Sequence, residues 1–260
     1  MLYYHLHELS MPEFLAMRDD IELPTVSLEN VCADHATLVD SIKQAVPSPL
    51  KSFTDYLAFG AYLFFAERTD TFLIRIRQLI NVIVDYDLPE DRTIGVSTQA
   101  KLKKLLYVLS TSVPFTPNIA KLATQVETSR VRLLEMLDML EKAQLILHLH
   151  SASKGTSLLN KPQKIYLHNT SLIMALAEGV SNVGNLRETF LVTHLDGAGH
   201  HITYPKAGDF LVDGITTIEV GGKSKTKSQI QFVPDAYLAL DAAEYGSPGK
   251  IPLRLFGFLY

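Results

Sequence analysis

"GDFLVDGITTIEVGGKSK", residues 208–225, reads as two short strands joined by a tight turn. Asp209 precedes an apolar run, Gly214 turns the chain, and Ile218-Glu219-Val220 begins the return strand. Side chains alternate between faces along a strand, so Glu219 shares a face with residue 221. The turn is expected to bring Asp209 and Glu219 together on adjacent strands. Two such carboxylates are hard-oxygen donors of the kind that hold Mg2+ with part of its water shell. An amine at residue 221 could orient a nucleophile there, but the residue is Gly221, and lysines follow only at Lys223, Lys225 and Lys227. A bulge at the glycine pair would let Lys223 supply the amine.

Outward from the hairpin, "NVGNLRETFLVTHLDGA" has helical spacing and carries Glu188, a third carboxylate for the set. Strands are expected near 200–204, 209–213 and 216–220. A short helix over "KTKSQIQF" and a strand over "DAYLAL" follow. Helix, three strands, helix, strand is an α/β order, and it defines a domain over residues 179–260. The candidate catalytic set is Glu188, Asp209, Glu219 and Lys223, with Asp209 and Glu219 as the metal ligands. With glycine at residue 221, the favoured reading is a remnant site whose carboxylates are solvated or hydrogen-bonded.

The preceding segment, residues 95–178, has a different pattern. "STQAKLKKLLYVLST", "TPNIAKLATQV" and "SRVRLLEMLDMLEKAQ" read as three helices, the second capped at Thr116 with Pro117 in its first turn. "LILHLH" and "KIYLHN" alternate as strands on either side of the loop "SASKGTSLLNKPQ". Three helices and a two-stranded wing make a winged helix-turn-helix. Within it, residues 95–168 hold 10 basic and 4 acidic side chains, against 7 and 15 in residues 1–94. Its positive balance favours an anionic partner. For DNA, Ser129, Arg130 and Arg132 would open the recognition helix, and Lys154, Lys161 and Lys164 would meet phosphates from the wing. Arg130 and Arg132 diverge on the helix, and Glu135, Asp138 and Glu141 follow them. A protein partner or self-association is therefore the competing use. His148 and His150 sit two apart on the wing strand without an evident third ligand, which favours an ordinary strand pair over a metal site.

Residues 1–94 read as helices and loops, beginning at a Ser10 cap with Pro12 in the first turn. The aromatic group from Phe53 to Phe65 has the spacing of a core. A single cysteine excludes an internal disulfide framework. No apolar stretch reaches membrane-spanning length, the run over residues 71–84 being broken by Arg75 and Arg77, and the first residues lack a signal-peptide pattern. These features lead us to expect a cytoplasmic protein that does not enter the membrane.

The whole chain resembles the C-terminal part of a prokaryotic AAA-type ATPase family, in which a winged helix precedes a nuclease-like domain of unknown function. The resemblance rests on "LYYHLHELSMPEFL", "NIAKLATQVETSRVRLLEMLDMLEKAQLI", "KPQKIYLHNTSLIMAL", "GDFLVDGITTIEVGGKSKTKSQIQ" and "GKIPLRLFGFLY". It implies a restriction-endonuclease-like core, with a carboxylate, a hairpin, and then an acidic residue, any residue and lysine. It further implies that residues 1–94 correspond to the end and lid of an ATPase module, and that ATP belongs to a P-loop module preceding them. Gly222-Lys223-Ser224 imitates the end of a P-loop, but Thr217 stands where its first glycine belongs. The expected function is a nucleic-acid- or partner-binding segment with a degenerate nuclease-like site. The alternatives are a metal-dependent nuclease using Glu188, Asp209 and Glu219, and a purely structural or oligomerisation module.

Overall fold

Ser10 begins the first helix through a reciprocal cap. Its Oγ accepts from the Glu13 amide at 3.4 Å, and the Glu13 carboxylate accepts from the Ser10 amide at 2.8 Å. In the computed structural model, which describes residues 6–88, 94–112, 117–151, 162–177 and 181–260, this helix is α1, Met11–Asp19. It ends at Asp20, whose left-handed backbone (φ 57°) closes the last turn. Then come α2 (Leu28–Ala33), α3 (His35–Ala45), α4 (Pro49–Phe59) and α5 (Phe72–Val82), which runs into a wider π turn over Ile83–Asp87.

The next helices are α6 (Val96–Thr111), α7 (Ile119–Gln125) and α8 (Arg130–Lys142). The cap expected at Thr116 lies outside the described residues. Asn118 caps α7 instead, accepting from the Lys121 amide at 3.1 Å, a role for which Asn is among the best residues. Ser129 caps α8 in the same way. Strands β1 (Ile146–Leu149) and β2 (Lys164–Leu167) then pair antiparallel, Ile146 opposite Leu167 and Leu149 opposite Lys164. Two more helices follow, α9 (Thr170–Leu176) and α10 (Val183–Gly197).

The rest of the chain builds a second, five-stranded sheet. Its strands are β3 (Ile202–Thr203), β4 (Phe210–Val212), β5 (Thr216–Gly221), β6 (Ala236–Leu240) and β7 (Lys250–Pro252), in that order across the sheet. The β3–β4 and β4–β5 pairs are antiparallel, whereas β5–β6 and β6–β7 are parallel. Asp213 (φ 53°) and Gly214 (φ 71°) make the β4–β5 turn, and this Asp-Gly pair has the positive φ values that twist a tight hairpin correctly. A final 3-10 helix spans Leu253–Phe258.

The short helix expected over "KTKSQIQF" is absent. Residues 222–235 form successive turns, closed by Lys225 N to Gly222 O, Ile230 N to Lys227 O and Val233 N to Ile230 O. Thr226 and Ser228 bond each other at 3.4 Å, and Pro234 disfavours helical backbone at Val233. Local side-chain bonds and the proline win over a weak apolar period.

The protein is thus mixed α/β. One buried cluster runs from Met11 to Leu259 through all three of the expected segments. Helix α9 packs against α4, α5, α6 and α10, and the C-terminal 3-10 helix against α10, α1, α2 and α3. A polar seam crosses this core. Asn169 donates to Glu8 at 2.7 Å and to Tyr62 at 2.9 Å, His168 Nδ1 contacts Glu8 at 2.5 Å, and Tyr260 donates to the Glu8 carbonyl at 3.1 Å. Burial opposes charge on His168, but the Glu8 hydrogen bond and charge outweigh it and raise the imidazole above its ordinary value. Nearby, Tyr56 donates to the Leu9 carbonyl and meets His194 at 2.9 Å, while burial brings His194 down to about 4. Among the described residues no helix is long and apolar enough to cross a membrane.

Candidate functional site

Alternation along β2 puts Lys164 and Tyr166 on one face, and both are buried. That face looks at α10 and at β4. The Tyr166 and Phe210 rings lie 5.9 Å apart, and the Lys164 ammonium sits 5.5–6.0 Å from the rings of Tyr204, Tyr166 and Phe210. A bridge between Ser151 and Tyr204, with Tyr204 N donating to His150 O at 2.8 Å, joins the β1–β2 ladder to the five-stranded sheet.

Two carboxylates meet this ammonium. Lys164 Nζ donates to Glu188 Oε2 at 2.7 Å and to Asp209 Oδ1 at 3.0 Å. Tyr166 donates to the same Glu188 oxygen at 2.6 Å, and Asp209 Oδ2 accepts from the Val220 amide at 2.9 Å. The Asp209 amide also donates to Ile218 O at 3.0 Å, so the residue is tied to β5 through both backbone and side chain, with its other carboxylate oxygen turned to Lys164. Burial works against a charged Lys164, but Glu188 and Asp209 more than compensate and raise its pKa. Burial, followed by the charge of Asp209, pushes Glu188 up against the pull of Lys164. Burial and the charge of Glu188 push the Tyr166 phenol well above its usual range. The result is a buried +1 ion seated between two acids.

Glu219 stands apart from this pair. It shares a face of β5 with Thr217 and Gly221, opposite Ile218 and Val220, and its cross-strand partner Leu238 belongs to a smaller apolar cluster with Ile230 and Leu240. It is 1% exposed, and its Oε1 lies 2.7 Å from Lys225 Nζ. The angles at that contact are not those of a hydrogen bond, so both oxygens of Glu219 lack a hydrogen-bond partner among the described residues and the pairing is one of charge alone.

The amine beside Glu219 comes from Lys225. A Cβ placed on Gly221 would fall 2.4 Å from Lys225 Cβ and Cγ, so the lysine stem occupies the space that a side chain at residue 221 would need. Lys223, the amine expected from a bulge, is exposed in the turn beyond the strand.

The structure thus joins Glu188 to Asp209 and adds Lys164 and Tyr166, which sequence reasoning did not place there. Lys164 was expected on the wing surface facing phosphates. It is buried because β2 turns that face into α10 and β4. As folded, the donor set does not fit a divalent cation: an ammonium bridges the paired oxygens, and the remaining Asp209 oxygen holds a backbone amide. Among the described residues no group of three His, Cys, Asp or Glu side chains has the geometry to hold a metal ion.

The other candidates lie elsewhere. Ser129 and Arg130 are exposed at the start of α8, and Arg132 pairs with Glu135 at 2.7 Å. Lys154 and Lys161 lie outside the described residues. His148 is held by Glu141, ring nitrogen to carboxylate at 2.9 Å, and its ring centroid is 6.1 Å from that of His150.

No curated protein and no solved structure matches the chain. A family described as "Domain of unknown function (DUF8612)" matches residues 50–183. That segment runs from α4 through β2 and α9 to the first residue of α10. It contains Lys164 and Tyr166, and it stops short of Glu188, Asp209 and Glu219. Since it covers just over half of the 260 residues, the chain belongs to the DUF8612 family.

Proposed function

We propose that the protein is a non-catalytic binding module in which a winged helix is fastened to a nuclease-like core by an internal cation. The observation that carries this reading is Lys164. Its ammonium bridges Glu188 and Asp209 at the position where a nuclease of this design would hold its metal. Three helices followed by the β1–β2 ladder support the winged-helix assignment for residues 95–178. The order α10, β3, β4, β5, crossover, β6, with antiparallel then parallel pairing, supports the nuclease-like one. In this reading the segment serves a AAA-type ATPase, whose own module would supply ATP binding, and it holds nucleic acid or a protein partner without cutting it.

The partner we favour is DNA, met by the exposed start of α8 and by the wing lysines. Affinity for a duplex should then fall steeply with salt, because each phosphate contact releases counterions. Replacing Arg130, Lys154 and Lys161 by alanine should lower the slope of log affinity against log salt by about 0.9 for each phosphate contact removed. Fluorescence anisotropy between low and moderate salt measures this. An unchanged slope and affinity would transfer the α8 surface to a protein partner.

One observation favours a second reading, a metal-dependent nuclease using Glu188, Asp209 and Glu219. Lys225 reaches Glu219 over Gly221, so an amine stands near the position where this design places its lysine. For that reading Lys164 would have to leave the carboxylates to a cation such as Mg2+.

A further inference from the structure

Residues 6–10 lead into α1 and lie against the segment that the family model matches. The Leu9 amide donates to Ala61 O at 3.2 Å, and Tyr56 of α4 donates to the Leu9 carbonyl. Tyr260 donates to the Glu8 carbonyl at 3.1 Å, and its ring lies 6.0 Å from that of His7. These backbone bonds join neutral groups. One fastening is ionic: the Glu8 carboxylate meets His168 Nδ1 at 2.5 Å and accepts from Asn169 at 2.7 Å. The two side chains are 8% and 6% exposed, so solvent and salt screen this contact weakly. Leu6 is exposed, and residues 6–10 form no helix or strand. That is the profile of a segment that opens locally, ahead of global unfolding.

Burial opposes charge on Glu8, but the hydrogen bond and charge of His168, with the Asn169 bond, outweigh it and hold the carboxyl below its ordinary 4.5. His168 is raised above its ordinary 6.5 against the same opposition, with Asp196 of α10 adding to the pull of Glu8. The contact is therefore at full strength between 4.5 and 6.5. It weakens as pH rises through the folded value of His168, or falls through that of Glu8. The groups around it do not change charge across the alkaline limb. Burial raises the phenols of Tyr56, Tyr62 and Tyr260, and His194 is already neutral. Glu13 of α1 is tied to Ser10. His7 is the other titratable group on the strap.

We propose that Glu8 and His168 form a pH-sensitive clasp, which fastens residues 6–10 to the family segment in weak acid and slackens toward alkaline pH. Loss of the imidazolium leaves a buried carboxylate held by neutral donors, and the strap then opens more often. This device lies outside the Lys164 cluster and does not rest on the function proposed above.

The test is hydrogen exchange of the full chain between pH 6 and pH 9, read at the Leu9 amide and corrected for intrinsic base catalysis. The reference is the Leu238 amide, which donates to Gly249 O inside the five-stranded sheet. Leu9 protection should fall about fivefold relative to Leu238, the difference between a charge-assisted and a neutral hydrogen bond. Glu8→Gln and His168→Gln should each make it independent of pH, and Glu8→Gln leaves His7 in place. Constant Leu9 protection in the unmodified chain would overturn the clasp, as would an equal fall in Glu8→Gln. The fall must also coincide with titration of the His168 ring followed by NMR in the unmodified chain. Steps at different pH overturn the proposal even where neither variant folds.

Discussion

Lys164→Met should destabilise the protein by about 2–3 kcal/mol at neutral pH, because it leaves two half-buried carboxylates facing each other without their buried ammonium. The methionine fills much of the lysine stem's volume, so the cost comes from charge. Glu188 already has a raised pKa in the folded chain, from burial and from Asp209. Removing Lys164 raises it further. A carboxyl whose folded pKa lies above its unfolded value favours folding below the unfolded value, and that advantage is lost as pH rises through the folded one. The variant's deficit should therefore be largest at neutral pH and shrink on acidification toward the ordinary glutamate value. Urea unfolding across that range measures it. Lys164→Met combined with Glu188→Gln should recover much of the loss, since one negative charge remains where there were two. The single variant should also gain what the parent lacks. With the ammonium gone, millimolar Mn2+ should raise its midpoint, by up to about 2.7 kcal/mol of linkage if the concentration reaches a hundredfold excess over Kd. A deficit independent of pH and indifferent to Mn2+ would make Lys164 a packing residue only.

Gly221→Ala should cost about 3 kcal/mol, far more than a glycine-to-alanine change in a strand, which ordinarily lowers chain entropy and favours folding. The added methyl collides with Lys225 at its Cβ and Cγ, too near the backbone for a rotamer change to clear. Lys225 must lift away, and Glu219 is then a buried charge without its cation. The diagnostic is coupling. In a Glu219→Gln background the same alanine should cost less, because a neutral amide does not need the ammonium. Equal costs in the two backgrounds would show that the methyl clash alone matters. Gly221→Lys should behave as a more severe Gly221→Ala, with no gain of cleavage, since the space it needs is already filled.

The helices were legible from local chemistry. Ser10 with Glu13, and Ser129 before an amphipathic run, carry their caps in adjacent residues, and the Asp213-Gly214 pair announces its hairpin. Strand alternation correctly put Glu219 and Gly221 on one face. The site was legible in part. Asp209 and Glu188 do meet, but what joins them is Lys164, supplied by a strand of another segment 45 residues from Asp209 in the chain. No periodicity in β2 distinguishes a lysine that faces solvent from one that faces two acids. That depends on how the β1–β2 ladder docks onto α10. Lys225 escaped notice for a related reason. Register assigns side chains to faces along a regular strand, whereas the turn after Gly222 lets a side chain fold back over the strand it has left.

The central claim is that Lys164 holds the place of a metal in a carboxylate pair that does no chemistry. The most direct measurement is cleavage of single- and double-stranded DNA by the unmodified chain in Mg2+ and in Mn2+, with Asp209→Ala as the matched control. The account predicts equal, background-level cleavage by the two proteins in both metals. Cleavage by the unmodified chain that Asp209→Ala abolishes would contradict it.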